Sequence, residues 1–442
     1  MSRIKKHGFH DVYTVHGGKK LGGKIKPNGA KNAATKQLVA SLLTEEICEF
    51  SNVPKNDDVT VTLEMLREIG AEYEWIAPDK IRIQTKSIKN NVIHEEYSGA
   101  NRIPILLLGP LLHRVKSAEI PMLGGCTIGP RPIDFHINLL KSMGAIFDCH
   151  DDRFAVQAEK LYGNIVKLPY PSVGATENAI LSAVLSHGVT VILNAAVEPE
   201  IIDTVLLLQK MGALIQVDAD RKIIIDGVDK LNGTYHRVIP DRIEAASFAV
   251  VAIITGGEIK VLDARQEHLI SFLNSFRRIG GNYSVEDDGI VFFREREILS
   301  PLNLETNVFP GFATDWQPPL VALLTQANGV SVIHETVYEN RFGYTHALNK
   351  MGAHINLTNS CLGSKSCRFV NRNYMHSCII QGKTSLRGKS LHIPDLRAGF
   401  AYIAAALCAK GVSKISGIPY LERGYSDILN KLLEIGAEVE AK

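Results

Sequence analysis

Leu66-Arg-Glu-Ile-Gly-Ala71 decides the fold because it returns five times: Leu140-Lys-Ser-Met-Gly-Ala145, Leu208-Gln-Lys-Met-Gly-Ala213, Phe276-Arg-Arg-Ile-Gly-Gly281, Leu348-Asn-Lys-Met-Gly-Ala353 and Leu432-Leu-Glu-Ile-Gly-Ala437. Each copy reads as the last turn of an amphipathic helix, with glycine just past its end, where a positive φ is wanted. The glycines stand at 70, 144, 212, 280, 352 and 436, so the steps are 74, 68, 68, 72 and 84 residues, the period of a repeated supersecondary unit. After the first five, alternation predicts a hairpin, as in Ala71-Glu-Tyr-Glu-Trp75 followed by Lys80-Ile-Arg-Ile-Gln84. After the sixth there is a single strand.

Upstream of each glycine lies a second, more apolar helix candidate: Ala33 to Leu43, Ile103 to Leu112, Asn178 to Leu185, Ala245 to Ile254, Leu320 to Leu324 and Ala398 to Cys408. Each unit thus reads as strand, helix, strand, helix, hairpin. Six units make an α/β protein of two domains with three repeats each.

The chain has 442 residues, 45% hydrophobic and 22% charged, with a formal net charge of +2. Such a balance gives no polybasic surface for nucleic acid, and no disordered class. Met1 to Tyr13 carries no apolar signal core, and the longest apolar runs, Ile103 to Leu112 and Phe248 to Ile254, fall short of the ~18 residues that span a bilayer. Seven cysteines in no regular framework fit a reducing compartment. The expectation is a soluble, cytoplasmic protein with no membrane or nucleic-acid partner; nothing in the sequence gives an oligomeric state.

The residues that open the apolar helices carry the functional signal. They are Lys31-Asn32, Asn101-Arg102, Thr176-Glu177, Asp241-Arg242, Thr314-Asp315 and Asp395 to Arg397, each 36 to 42 residues before its glycine. Equivalent positions of pseudo-symmetric units should cluster, and converging helix N-termini attract anions. Capping alone accounts for Thr176, Thr314 and Asp241. It accounts poorly for Lys31, Arg102 and Arg397, since a cation at a helix N-terminus is disfavoured unless an anion lies between.

A further stretch, Leu123-Gly-Gly-Cys-Thr-Ile-Gly-Pro-Arg-Pro-Ile-Asp-Phe-His136, has the composition of a backbone-shaped loop. It is either a surface turn with an unpaired Cys126 or a loop that holds this thiol, beside Arg131, towards a ligand.

In order along the chain, Gly29-Ala-Lys-Asn32, Gly124 to His136, Ser172-Val-Gly-Ala-Thr-Glu-Asn178, Pro240-Asp-Arg-Ile-Glu244, Thr314-Asp-Trp-Gln317, Glu339-Asn-Arg-Phe342, Asp395-Leu-Arg397 and Arg423-Gly-Tyr425 resemble the motifs of the UDP-N-acetylglucosamine 1-carboxyvinyltransferases, a family of enolpyruvyl transferases. The resemblance runs from about Val15 to Glu440. It implies two inside-out α/β barrels, each of three repeats about a pseudo-threefold axis, with the active site in the interdomain cleft. The expected domains are 22–238, and 1–21 with 239–442.

The implied reaction adds the 3-hydroxyl of UDP-N-acetylglucosamine to C2 of phosphoenolpyruvate and eliminates phosphate, the first committed step of peptidoglycan synthesis. It needs one acid, one base and fixed cations, but no cofactor. By resemblance, Lys31, Asn32, Arg131, Arg341, Arg397 and Arg423 hold phosphoenolpyruvate, and Lys31 and Arg397 also serve catalysis. Asp315 resembles the base at the sugar hydroxyl, although it could equally be the cap of its helix. Cys126 resembles the proton-donating thiol that forms a covalent adduct. Arg102, Arg131, Pro132, Ile133, Asp134, Phe135, Tyr170, Pro171, Ser172, Val173, Gly174, Asp315 and Val337 match positions that hold the UDP-sugar.

Asn28, Ala313 and Ala246-Ser247 depart from the family pattern, which has serine, proline and Gly-Thr there. These departures leave open another nucleotide acceptor, or a silent UDP-sugar-binding paralogue. The step of 84 marks an insertion between Leu357 and Ile379 that holds Cys361, Cys367, Cys378 and His376. The C-x5-C spacing matches no zinc ribbon or finger, so the expectation is a loop of scattered thiols and no metal.

Overall fold

A computed structural model describes residues 11–99, 101–121, 133–149, 153–364 and 367–442. All six repeat glycines have positive φ, from +80° at Gly436 to +124° at Gly70. The motif owes its shape to a Schellman closure. The N–H of Ala71, Ala145, Ala213, Ala353 and Ala437 each donates to the carbonyl of the leucine five residues back, at 2.8 to 3.1 Å. That leucine and alanine are both buried, which supplies the apolar contact such a helix end requires.

The five expected hairpins form: Glu72–Ala77 with Lys80–Gln84, Ile146–Cys149 with Arg153–Gln157, Leu214–Asp218 with Lys222–Asp226, Gly281–Glu286 with Gly289–Arg294, and His354–Thr358 with Ser377–Gly382. The sixth unit borrows its missing arm. Val12–His16, near the start of the chain, lies antiparallel to both Glu438–Ala441 and Val412–Ser416, so the N-terminal strand closes the last repeat.

The chain divides into two compact units. In residues 29–121 with 133–239, the helices Lys31–Ala40, Leu108–Val115 and Val173–Ala183 are mostly buried, and Tyr235–Arg237 returns to lie parallel to Cys48–Ser51. In residues 11–28 with 240–442, the helices Arg242–Thr255, Gln317–Leu324 and Ala398–Cys408 pack on one another. Every residue of the first from Arg242 to Ile254 is buried, so this helix has no solvent face and is apolar nearly all round.

The division falls at Asn28/Gly29 and Ile239/Pro240 rather than at 21/22 and 238/239, because Gly22–Ile25 is hydrogen-bonded parallel to Glu258–Leu262 and so belongs to the C-terminal unit. The insertion also differs from expectation. Cys378 lies within a strand and is fully buried, whereas Cys361, Cys367 and His376 are gathered together. Among the described residues no helix is long and apolar enough to cross a membrane.

Candidate active site

In the N-terminal unit, Lys31 is the first residue of its helix and is buried, with Nζ 2.5 Å from Asp58 Oδ2. The carboxylate is the anion that a lysine at this helix start was expected to need. Asn32 is half-buried, and its carbonyl accepts from Lys36 Nζ at 2.8 Å. Lys36 also lies 3.8 Å from Glu177, a fully buried carboxyl pushed up to about 7 by burial, against the pull of Lys36.

Ile133, Asp134 and Phe135 open the Asp134–Ser142 helix, and Tyr170 to Gly174 lead into Val173–Ala183. Ser172 accepts from Ala175 N and caps that helix. The two helix starts meet at His136, whose Nδ1 is 3.2 Å from Asn178 Nδ2; a Cβ on Gly174 would stand 3.5 Å from its ring. Burial, helped by the charge of Arg102, brings His136 down to about 3 and keeps it neutral. Arg102, the Ile133 to Phe135 run and Tyr170 to Gly174 are half-buried or exposed and so open to a ligand. Cys126, Arg131 and Pro132 lie outside the described residues.

In the C-terminal unit, Asp315 sits inside a single 3₁₀ turn, Thr314–Trp316, whose N-cap position is Ala313. Its carboxylate goes to two arginines instead: Oδ1 accepts from Arg341 Nη2 at 2.6 Å, and Oδ2 lies 3.3 Å from Arg397 Nε. Both guanidinium groups are buried, and Arg341 Nε and Arg397 Nη1 have no hydrogen-bond partner among the described residues. Buried donors of this kind are costly unless an acceptor arrives, and a carboxylate or phosphate is the natural one. Asp395 caps the helix after Arg397, and Asp241 caps the Arg242–Thr255 helix, as capping alone predicts.

Arg423 follows the short Ile418–Glu422 helix. Its turn packs against the neighbour of Arg397, since a Cβ on Gly424 would stand 2.3 Å from Leu396 Cδ1. Tyr425 lies under the Arg397 guanidinium, 5.8 Å from ring centre to Cζ, and its hydroxyl meets Ser247 Oγ at 3.0 Å. The departure at Ser247 therefore retains a hydroxyl for this contact. Asn28 is likewise accommodated: its N–H donates to Glu244, its amide to the Ser426 carbonyl, and its own carbonyl accepts from Asp241 N.

Glu335 escaped the sequence reading. Fully buried, it accepts from Thr314 Oγ1 (2.9 Å), Gln317 Nε2 (3.3 Å), Val337 N (2.8 Å) and Tyr338 N (3.1 Å), so it ties the Asp315 turn to the Val337 turn. Burial holds its carboxyl above the ordinary range despite Arg341. The only signal in the sequence was an acid directly after the apolar alternation of Gly329–His334.

A family model described as EPSP synthase (3-phosphoshikimate 1-carboxyvinyltransferase) matches residues 15–432. The chain belongs to this family of carboxyvinyl transferases. Within the family it is 50% identical to the UDP-N-acetylglucosamine 1-carboxyvinyltransferase of Protochlamydia amoebophila, over 97% of this chain and 94% of that one. It is 47% identical to the protein of the same name from Chlamydia pneumoniae, over 97% and 94%. Among solved structures it resembles the enolpyruvyl transferase NikO from Streptomyces tendae, with a TM-score of 0.85 and 20% identity over 97% of this chain and 98% of that one. It also resembles the EPSP synthase of Acinetobacter baumannii, with a TM-score of 0.78 and 19% identity over 97% and 99%. These two carry the shared α/β fold, and the carboxyvinyl transferase family makes this chain an enzyme.

Proposed function

We propose that this enzyme transfers the enolpyruvyl group of phosphoenolpyruvate to the 3-hydroxyl of UDP-N-acetylglucosamine, releasing phosphate and opening peptidoglycan synthesis. The observation that carries the chemistry is Asp315 held between Arg341 and Arg397, whose remaining buried donors await an anion. A base is thereby fixed beside the charges that would bind phosphoenolpyruvate. The acceptor is supported by the names of relatives at 47 to 50% identity over nearly the whole chain.

Each unit is proposed to be an inside-out barrel, a reading supported by the burial of its helices and by its three separate small sheets. Lys31, Asn32, Arg131, Arg341, Arg397 and Arg423 hold the phosphate and carboxylate of phosphoenolpyruvate. Arg102, Ile133 to Phe135, Tyr170 to Gly174 and Val337 hold the nucleotide sugar. Asp315 takes the hydroxyl proton as oxygen bonds to C2, and Cys126 delivers a proton to C3. Loss of a C3 proton then expels phosphate and restores the double bond. Phosphate release from phosphoenolpyruvate, measured separately with UDP-N-acetylglucosamine, UMP and shikimate 3-phosphate, tests the assignment. Turnover is expected with the first alone. Turnover with UMP would reassign the acceptor, and none with any of the three would leave a silent binding protein.

A further inference from the structure

The insertion that lengthens the fifth repeat gathers four metal-ligating side chains. Cys361 Sγ, Cys367 Sγ and one ring nitrogen each of His334 and His376 offer donor atoms that lie within 4.8 Å of one another. Cys361 Sγ is 3.2 Å from both Cys367 Sγ and His376 Nε2. Around a tetrahedral zinc ion, bonds of about 2.3 Å to sulfur and 2.0 to 2.1 Å to nitrogen would set the donors roughly 3.3 to 3.8 Å apart, so small side-chain shifts suffice.

The hydrogen bonds fix both imidazoles in the ligating tautomer. His376 Nδ1 is 2.7 Å from the carbonyl of Tyr374, which can only accept, so Nδ1 bears the proton and Nε2 is bare. His334 Nδ1 is 2.8 Å from Ser377 Oγ, which already gives its one proton to the Ser360 carbonyl at 2.6 Å. Nδ1 of His334 is therefore also the protonated nitrogen. Its Nε2 is buried without a hydrogen-bond partner among the described residues, an orphan that a metal ion would satisfy. Backbone and serine groups behind the ring nitrogens are the usual outer support of metal-bound histidine.

The loop is shaped for this approach. A Cβ on Gly363 would stand 2.5 Å from His334 Cδ2 and 2.7 Å from Glu305, so only glycine lets the chain pass. Phe369, buried, closes one side with its ring 5.6 Å from that of His376. An open pocket of about 460 Å³, lined by Asn359, Ser360, Cys361 and Val370 to Asn373, reaches Cys361.

We infer that His334, Cys361, Cys367 and His376 form a structural site for a zinc-class divalent ion. Binding displaces the two thiol protons to solvent, leaving two thiolates whose charges offset the dication and two neutral imidazoles. Four protein ligands leave no open position, so the ion acts as a clamp and not a catalyst. It pins the insertion to Gly329–His334 and Ser377–Gly382. The next residue is Glu335, whose N–H donates to the His376 carbonyl and whose carboxylate holds the Asp315 turn. Sequence spacing concealed the site because His334 lies on a strand outside the insertion, and Cys378, inside it, is not a ligand.

The test is metal content and cobalt spectroscopy on the full chain, purified under reducing conditions. Elemental analysis is expected to find one zinc ion per chain in the wild type and in a Cys149→Ser control, with at least a tenfold loss in Cys361→Ser and Cys367→Ser. Misfolding of those variants would not blur the answer, since cobalt(II) exchanged into the wild type should itself give sulfur-to-cobalt charge transfer and intense tetrahedral d–d absorption. A reduced wild type that is free of metal and takes up no cobalt would overturn the inference. So would a cobalt spectrum without thiolate character.

Discussion

Replacing Asp315 by asparagine separates two roles that the geometry assigns to one carboxylate. Asp315 is the counter-ion of two buried arginines, at 2.6 and 3.3 Å, and on the proposed chemistry it is also the base. Breaking one side of a buried ion pair typically costs about 3 to 5 kcal/mol. Here the carboxylate is 23% exposed and asparagine keeps one acceptor oxygen, so about 2 kcal/mol is expected in urea unfolding. The rate effect should be larger, a fall of about 10² to 10⁴ in kcat, or roughly 3 to 5 kcal/mol in the barrier. The KM for phosphoenolpyruvate should not rise, because the amide leaves the arginine donors freer for the substrate. Steady-state phosphate release at saturating substrates, alongside urea unfolding of the same preparation, reads both quantities. A destabilised variant with kcat within tenfold of wild type would reduce Asp315 to a counter-ion.

Glu177 ionises at about 7 against an ordinary 4.5, so the folded chain holds the extra proton between those values and stability falls as pH rises through that window. Glu177→Gln should therefore gain on wild type by on the order of 3 kcal/mol between pH 4.5 and 7, and a pH-independent difference in urea midpoint would contradict this. Gly436→Ala meets no atom within 4 Å and pays only for φ +80°, about 1 kcal/mol, whereas Gly70→Ala adds a Cβ 2.7 Å from Ser87 O at φ +124° and should lose roughly 3 kcal/mol; equal losses by urea unfolding would show that contact geometry is irrelevant here. Fosfomycin should add its mass to the peptide carrying Cys126, since burial raises the thiols of Cys48, Cys378 and Cys408 and makes them poor nucleophiles; a mass found only on Cys149 or within Cys361 to Cys378 would remove Cys126 from the mechanism.

The fold was legible because its signal is local. Leucine, glycine and alanine at fixed spacing specify a Schellman closure wherever they occur, and alternation specifies the hairpin that follows. What escaped depended on pairing between distant segments. Nothing near Gly22 says that it will lie beside Glu258, and nothing in Val12 to His16 says that it will complete the last hairpin. The candidate site divided the same way. Lys31 and Arg397 stood out because a cation at an apolar helix start is unusual, and Asp315 through the family resemblance of its motif. Their partners did not, because Asp58 in the first turn of its helix looks like ordinary dipole compensation, and Glu335 looks like the polar end of a strand.

Those partners alter how the site must work. The sequence suggests cations waiting for an anion, yet Lys31 meets Asp58, and both Arg341 and Arg397 meet Asp315. Internal carboxylates thus hold Lys31 in one unit, and Arg341 and Arg397 in the other, in place. On the proposed chemistry, phosphoenolpyruvate competes with Asp315 for the guanidinium donors and also engages those left unpaired. As the substrate takes over those donors, the oxygens of Asp315 are released to accept from the sugar hydroxyl. The base would then become available when the electrophile is bound, which couples deprotonation to the presence of phosphoenolpyruvate without a separate switch. Glu335 matters here because it keeps the Thr314 to Trp316 turn fixed while its aspartate changes partners. A clamp on His334, one residue earlier, would hold Glu335 in turn.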